Sequence, residues 1–184
     1  LLDQIENGPR PTVRTYTVRN FRKDDLEMDI DFVAHGDEGP ASAFAMNAKP
    51  GDFLGFRGPS DVKIADYYAD WYLLAADMSA LPIAAATLEA MPRSAKGLAV
   101  LEVQTEEDVQ VIDAPKGVEM RWLIQSDPHV ASRAQEAMIR ATELPNGVIQ
   151  TCIAGESGVI KSLRGFLTNE TDIPKENIYI SGDW

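Results

Sequence analysis

The sequence predicts a β-rich segment followed by an α/β segment with a parallel sheet, and the two segments meet near residue 65. Two observations predict this division. Strand-like runs at 12–19, 27–34 and 52–57 are separated by glycines and prolines. After residue 65, apolar strand-like runs alternate with helical patterns instead. That alternation indicates parallel strands covered by helices, with ligands bound outside the carboxyl ends of the strands.

The first strand-like run reads Arg-Thr-Tyr-Thr-Val-Arg at positions 14–19. On a strand, Arg14 and Tyr16 share one face, while Thr15 and Thr17 share the other. A cation, a flat ring and hydroxyls suit a ligand such as a flavin nucleotide. The same alternation is also typical of an ordinary solvated strand, and the run alone favours that interpretation.

A glycine-rich turn follows and leads into a predicted helix at 43–48. Ser42 is the expected N-cap of this helix. A helix N-terminus with its positive dipole end is able to bind phosphate, although the turn is equally typical of a plain connection between two elements.

In the second segment we predict strands at 71–75, 98–103, 119–125, 148–153 and 177–180 and helices at 80–91, 130–142 and 159–168. Asp77 to Ser79 follow the first of these strands, and Gly155 to Ser157 follow a later one. Both loops are therefore expected to face one crevice, with Ser79 capping a helix whose backbone N–H groups are open to phosphates. A Gly-x-Gly-x-x-Gly fingerprint is absent, so a standard Rossmann dehydrogenase is not supported.

Composition narrows the classes of function. The chain has 184 residues and a net charge of −12, which argues against nucleic-acid binding. One cysteine, Cys152, and two histidines make a thiolate cluster or a histidine-rich metal site improbable, so redox chemistry would need an organic cofactor. We expect Cys152 to be buried and Glu106 to Asp108 to lie in a solvated loop. Because neither a secretory leader nor an apolar spanning run is visible, we also expect the protein to be cytoplasmic with no membrane partner.

Several motifs together resemble the siderophore-interacting protein family. They are Arg-Thr-Tyr-Thr-Val-Arg at 14–19, Asp-Phe-Val-x-His-Gly-x-x-Gly-Pro-Ala-Ser at 31–42, Pro-Gly-Asp at 50–52, Gly-Pro-Ser at 58–60, Ala-Asp-Met-Ser-Ala-Leu-Pro at 76–82, Ala-Gly-Glu-Ser at 154–157 and Tyr-Ile-Ser-Gly-Asp-Trp at 179–184. The resemblance implies an FAD-dependent ferric-siderophore reductase of the ferredoxin–NADP reductase superfamily. Residues 1–65 would form the C-terminal part of a six-stranded FAD-binding β-barrel, and residues 66–184 a parallel-sheet α/β domain like those that bind nicotinamide nucleotides.

The resemblance also implies roles for the flavin-side residues. Arg14 would bind the flavin pyrophosphate, Tyr16 would pack against the isoalloxazine ring, and Thr17 would lie near its reactive N5 edge, which makes Tyr16 and Thr17 the catalytic candidates. The other flavin-binding candidates are Thr15, Asp31, Phe32, Val33, His35, Gly36, Ala41 and Ser42. For His35, a histidine bonding within its own turn remains an equal alternative.

On the donor side, the resemblance implies a nicotinamide nucleotide, NADPH or NADH, at Asp77, Ser79, Ala80, Gly155, Glu156 and Ser157, with ferredoxin as another possible donor. Met78 stands where the family usually has glutamate, which bears on the identity of the donor. The implied partner is a ferric siderophore. Lys49 is the candidate cation that attracts it, and Lys161, Arg164 and Arg57 are weaker candidates for the same role. No metal site of the protein's own is implied.

Family members carry further strands before the first motif and usually a tail after the last one. We therefore expect the chain to be a segment of a longer protein, or to receive its partner strands from elsewhere. Two other functions stay open from the residues. One is a general flavin or ferredoxin-type reductase, and the other is a non-catalytic module that binds ferric chelates.

Overall fold

The computed structural model describes residues 12–34, 39–58, 64, 66–127, 130 and 133–182. The chain divides into two compact units, Leu1–Gly58 and Pro59–Trp184. Among the described residues, no helix combines the length and apolar character needed to cross a membrane.

The first unit contains an antiparallel pair of strands and one helix. Strands β1 (Val18–Arg22) and β2 (Glu27–Ile30) pair from Arg22↔Glu27 to Val18↔Ile30, with an irregular register between Val18 and Asn20. Helix α1 (Pro40–Asn47) follows. The guanidinium of Arg22 bonds both Asp29 carboxylate oxygens and Glu27 across the pair.

Three predictions for this unit need correction. Residues 12–17 lie outside any strand, because the ladder with β2 ends at Val18. Residues 31–34 and 52–57 are also not in strands, and Phe53 is 94% exposed. Alternating polar and apolar residues favour an extended backbone, but a β-strand also needs a hydrogen-bonded neighbouring strand. No neighbouring strand is assigned to these described segments.

The second unit is a parallel five-stranded sheet with helices on both faces. Its strands are β3 (Trp71–Ala76), β4 (Lys96–Val103), β5 (Gly117–Ile124), β6 (Ile149–Gly155) and β7 (Ile178–Gly182), in the spatial order β5-β4-β3-β6-β7. Its helices are α2 (Leu81–Ala90), α3 (Arg133–Arg140) and α4 (Ser157–Asn169). All eight strands and helices predicted for this segment are confirmed, with shifted ends.

The strands at the centre of this sheet could be predicted from sequence because both of their faces are buried. Leu74 and Ala76 of β3 pack in one cluster with Leu88 of α2, while Leu73 and Ala75 pack in the other with helices α3 and α4. Strands buried on both faces appear as continuous apolar runs. Cys152 of β6 is buried and is not in a disulfide, as predicted. The acidic run Glu106–Asp108 lies largely exposed in the connection after β4, as predicted, and forms a short 3₁₀ turn there.

Candidate functional site

The strand order places a topological switch point at the carboxyl edge of the sheet, between β3 and β6, and the name crevice is used here for the region around the two loops that follow these strands. The chain enters the sheet at β3, builds β4 and β5 to one side, and then returns to build β6 and β7 on the other. The connections after β3 and β6 therefore run in opposite directions, and the loops that follow the two strands lie side by side at this edge. In open α/β sheets this switch point is where ligands bind.

One carboxylate joins the two loops at this crevice. Asp77 directly follows β3, and its Oδ1 accepts hydrogen bonds from the backbone N–H of Ser79 (3.0 Å) and of Ala80 (3.1 Å) and from the Ser79 hydroxyl (2.6 Å). Its Oδ2 accepts a hydrogen bond from the backbone N–H of Glu156 (2.8 Å), which directly follows β6. The loops after β3 and β6 thus meet, as the strand order leads one to expect.

Gly155 makes this contact possible. Its φ of +152° lies in a region that residues with side chains rarely adopt, and a Cβ added there would come within 2.7 Å of Asp77 Oδ2. Only glycine lets the backbone come this close to the carboxylate. Nearby, a Cβ added to Gly182 at the end of β7 would lie 3.1 Å from the Ser157 hydroxyl, so a third strand end borders the same edge.

A second carboxylate caps the helix that starts here. Glu156 is the N-cap of α4, and its Oε1 and Oε2 accept hydrogen bonds from the backbone N–H groups of Gly158 (2.7 Å) and Val159 (2.9 Å). Acidic side chains at a helix N-terminus stabilise it through both the hydrogen bonds and the helix dipole. The first turn of α4 is consequently occupied by a group of the chain itself.

The prediction that Ser79 caps a helix is wrong. The N-cap of α2 is Ala80, which makes no side-chain cap bond, while the exposed Ser79 donates its hydroxyl hydrogen to Asp77. A carboxylate accepts charge-assisted hydrogen bonds, which are stronger than those a hydroxyl accepts, so the aspartate takes the N–H groups at this turn. The backbone donors expected to face phosphate are already bonded.

Two buried polar residues at the same edge were missed by sequence reasoning. Glu102 is only 7% exposed near the carboxyl end of β4. Gln135 of α3 is 4% exposed, and its Nε2 donates to the carbonyl oxygens of Ala76 (3.0 Å), at the end of β3, and of Val100 (3.3 Å), within β4. A glutamate inside the apolar run of β4 is a signal that could have been read, whereas nothing in the sequence around Gln135 marks it.

In the first unit, two of the predicted flavin-side residues are in contact. The rings of Tyr16 and Phe32 lie with their centroids 4.6 Å apart and their planes tilted by 42°. Thr17 and Val33 are half-buried, whereas Thr15 and Arg14 are exposed, and the Arg14 guanidinium donates to the Val13 carbonyl oxygen.

Charged residues lie near Phe32 in the chain and on the adjoining strand pair. Asp31, another predicted ligand, lies 3.9 Å from the guanidinium of the largely buried Arg19. On the strand pair itself, hydrogen bonds from Arg22 and then Asn20 lower the pKa of the Asp29 carboxyl to about 2. His35 and Gly36 fall outside the described residues.

The N-terminus of α1 differs from the two at the crevice. Its N-cap is Gly39 at φ +99°, no side chain caps it, Pro40 opens the helix, and its first turn contains no acidic residue. Ser42 is buried inside the helix, so the prediction that it is the N-cap is wrong. Small neutral residues Ala41 and Ser42 at a positive dipole end are compatible with the diphosphate of FAD.

The four candidate cations are divided between the units. Lys49 and Arg57 are exposed in the first unit, and the Lys49 backbone N–H bonds Asp52 Oδ2 at 2.8 Å just after α1. Lys161 is exposed on α4, but the Arg164 guanidinium donates to the Ile180 carbonyl oxygen of β7. Arg164 therefore links helix to sheet within its own unit.

Comparison with known proteins covers both units. Residues 69–184 match the family model of the siderophore-interacting protein, and residues 2–63 match that of the siderophore-interacting FAD-binding domain. The chain is 37% identical over 177 residues to the ferric vibriobactin reductase of Vibrio cholerae, covering 95% of this chain and 65% of that protein. It is 31% identical over 162 residues to the NADPH-dependent ferric-chelate reductase of Escherichia coli, covering 85% of this chain and 60% of that one.

Solved structures that resemble this chain are also of proteins named for siderophores. The siderophore-interacting protein of Aeromonas hydrophila superposes with a TM-score of 0.83 at 34% identity, covering 95% of this chain and 74% of that one. A siderophore utilization protein of T. fusca superposes with a TM-score of 0.76 at 31% identity, covering 93% and 65%. The chain thus spans a little under two thirds of the length of the curated relatives named above.

Proposed function

The chain belongs to the siderophore-interacting protein family, and we propose that it forms part of an FAD-dependent oxidoreductase that reduces siderophore-bound Fe(III) to Fe(II) during iron acquisition in the cytoplasm. The observation that carries this proposal is the match of both units to that family, together with relatives named as ferric reductases. On this proposal, residues 1–65 contribute to a flavin-binding β-barrel and residues 66–184 form the domain that faces the electron donor.

The residues of the first unit fit a bound flavin nucleotide. The uncapped N-terminus of α1 and the exposed guanidinium of Arg14 provide positive charge for a diphosphate, and the Tyr16–Phe32 pair provides aromatic surface for a flat ring. We assign Thr17, whose side chain is half-buried, to hydrogen bonding near the reactive edge of that ring. When it is bound, FAD supplies the conversion of a two-electron input into single-electron output.

The substrate in this proposal is a ferric siderophore. Fe(III) is a hard cation held tightly by catecholate or hydroxamate oxygens, and Fe(II) is held far less tightly, so reduction releases the metal. The chain carries a net charge of −12, so attraction of an anionic chelate requires local cations. Lys49 is the proposed steering cation because it is exposed beside α1. Lys161 is a weaker candidate, and Arg164 weaker still, since its guanidinium already bonds the β7 backbone.

The proposed electron donor is a reduced nicotinamide, NADH or NADPH. This proposal is supported by the parallel sheet with a crevice at its switch point and by a relative that is named as NADPH-dependent. Ferredoxin is the other donor to be tested.

The test of this function uses the full-length protein. After reconstitution with FAD and removal of excess cofactor, the protein is expected to show flavin absorbance and, with a nicotinamide donor and a ferric siderophore, to produce Fe(II) that a ferrous-specific chelating dye captures. A protein that retains no flavin after reconstitution would refute the oxidoreductase proposal and leave a chelate-binding module. Fe(II) production from ferric citrate at the same rate would refute a dedicated siderophore role.

A further inference from the structure

A small polar pocket lies at the amino edge of the parallel sheet, at the opposite ends of the strands from the crevice. Gln150 is the second residue of β6 and Tyr179 the second residue of β7, and both line this pocket of about 220 Å³. The path from Gln150 to Gly155 at the crevice is roughly 16 Å along an extended strand. The pocket is therefore separate from the site proposed for the electron donor, and we call it the amino-edge pocket.

Two carboxylates and two aromatic rings make the amino-edge pocket suited to a cation. Asp66 and Glu176 are exposed residues that line it, and Tyr68 and Tyr179 line it as well. Lysine, arginine and histidine are absent from its described lining residues, and the neighbouring Lys175 is not among them. Carboxylates attract a positive charge, and aromatic rings attract organic cations through their faces.

One buried acceptor in this pocket has no donor among the described residues. Gln150 is 8% exposed, and its Nε2 donates to the backbone carbonyl oxygen of Asp66 at 3.2 Å. Its Oε1 is buried and accepts no hydrogen bond from the part of the chain that the structure describes. Exchanging the two amide atoms would place an oxygen against the Asp66 carbonyl oxygen, so the hydrogen bond fixes the orientation of the amide. A bound group with N–H donors would satisfy the acceptor.

Two hydrogen bonds hold the walls of the pocket in place. The Tyr68 hydroxyl donates to Asn177 Oδ1 at 2.5 Å, and the Thr151 hydroxyl donates to the Tyr179 carbonyl oxygen at 3.2 Å. Asn177 and Thr151 are themselves buried. These polar side chains therefore support the shape of the pocket, whereas the Gln150 carbonyl is available to a ligand.

We propose that the amino-edge pocket binds a small organic cation with N–H donors, namely an alkylammonium or guanidinium group. One N–H of this group bonds Gln150 Oε1, while its charge is attracted by Asp66 and Glu176. The volume fits a group of a few heavy atoms, because pockets that take drug-sized ligands measure about 300–1,000 Å³. A metal ion fits less well, since the described residues contain no group of three or more acidic, histidine or cysteine side chains able to hold one. The inference does not depend on the proposed reductase function.

The test titrates organic cations into the full-length protein at constant ionic strength. Methylammonium and methylguanidinium are the probes with N–H donors, and tetramethylammonium is the matched cation without one. Binding is followed by calorimetry and by NMR shifts of the backbone amides and of the Gln150 side-chain amide. Both N–H probes are expected to bind saturably with a Kd of about 1–10 mM, and tetramethylammonium at least about fivefold more weakly.

Two variants separate the acceptor from the charge. Gln150→Met keeps a side chain of similar length and removes the acceptor, so the Kd for methylammonium is expected to rise more than about tenfold. Glu176→Gln removes an exposed charge, so the same Kd is expected to rise by about two- to fivefold. The control Asp172→Asn, which removes an exposed acid outside the described lining in the same connection before β7, should leave the Kd unchanged.

The absence of saturable shifts at Gln150, Thr151 and Asn177 with either N–H probe up to about 100 mM would overturn the inference. Equally tight binding of tetramethylammonium would overturn the role of the unpaired acceptor. An equal Kd in Glu176→Gln and wild type would overturn the role of the carboxylate. If Gln150→Met does not fold, the comparison of methylammonium with tetramethylammonium still decides the role of the acceptor. The titrations need neither flavin reduction nor an iron chelate, so their outcome is independent of the reductase assays.

Discussion

Replacing Gly155 with alanine tests whether the contact between the two crevice loops depends on glycine. The added Cβ would lie 2.7 Å from Asp77 Oδ2 and 2.9 Å from Asp77 Cγ, at a backbone φ of +152°. The strained backbone costs about 1–3 kcal/mol. Loss of the hydrogen bond from Glu156 N–H to the Asp77 carboxylate adds about 1.5–3 kcal/mol. Gly155→Ala is therefore expected to lower the free energy of unfolding of the α/β unit by about 2.5–6 kcal/mol.

The matched control is Gly165→Ala in α4. A Cβ added to Gly165 meets no atom within 4 Å, so the same substitution is expected to stabilise the protein by up to about 1 kcal/mol through helix propensity. The assay is native-state hydrogen exchange at the buried amides of Leu74 and Ile153, which reports the opening free energy of this unit. If Gly155→Ala and Gly165→Ala change that free energy equally, the explanation of Gly155 is refuted.

Three further predictions follow from charges and buried polar groups. Lys49→Ala is expected to raise the KM for an anionic ferric chelate by up to about fivefold, the effect that an exposed charge can have, while leaving flavin content unchanged. The control Lys116→Ala should leave KM unaltered, and an unchanged KM in Lys49→Ala would refute the steering role. Because its pKa is lowered to about 2, Asp29 contributes stability to the strand pair that is present above its unfolded pKa and is lost as pH falls through about 2. A carboxyl NMR titration with a midpoint near 4 would contradict this. Gln135→Met removes two buried hydrogen bonds to strand carbonyls and is expected to destabilise the α/β unit by about 1–3 kcal/mol in urea unfolding, while a neutral result would contradict the bridging role.

The α/β unit could be predicted from sequence because its three central strands, β3, β4 and β6, are buried on both faces. The run 71–76 is apolar throughout, and the run 149–155 is apolar apart from Gln150 and Thr151. That pattern depends on composition more than on exact contacts. The order of the strand ends then placed Asp77 and Glu156 together. The hydrogen bonds of Asp77 could not be predicted from the sequence. Asp77 and Ser79 compete to accept from the backbone N–H groups at this turn, and only the folded geometry shows that Asp77 accepts them.

The first unit was harder to predict because its strands depend on pairing. Residues 12–17 and 52–57 have the composition of strands, yet the described structure assigns none there, since a ladder needs a neighbour as well as propensity. The buried Gln135 was also beyond sequence reasoning, because its partners are carbonyl oxygens of Ala76 and Val100, far away in the chain. The roles of the flavin-side and donor-side residues stay predictions.

The most direct measurement for the proposed function is the reoxidation of reduced flavin by iron chelates. The FAD-loaded full-length protein is reduced anaerobically and mixed by stopped flow with a ferric catecholate siderophore, a ferric hydroxamate siderophore or ferric citrate. The proposal predicts that at least one siderophore reoxidises the flavin more than about tenfold faster than citrate, with stoichiometric formation of Fe(II). Reoxidation no faster with any siderophore than with citrate would contradict it.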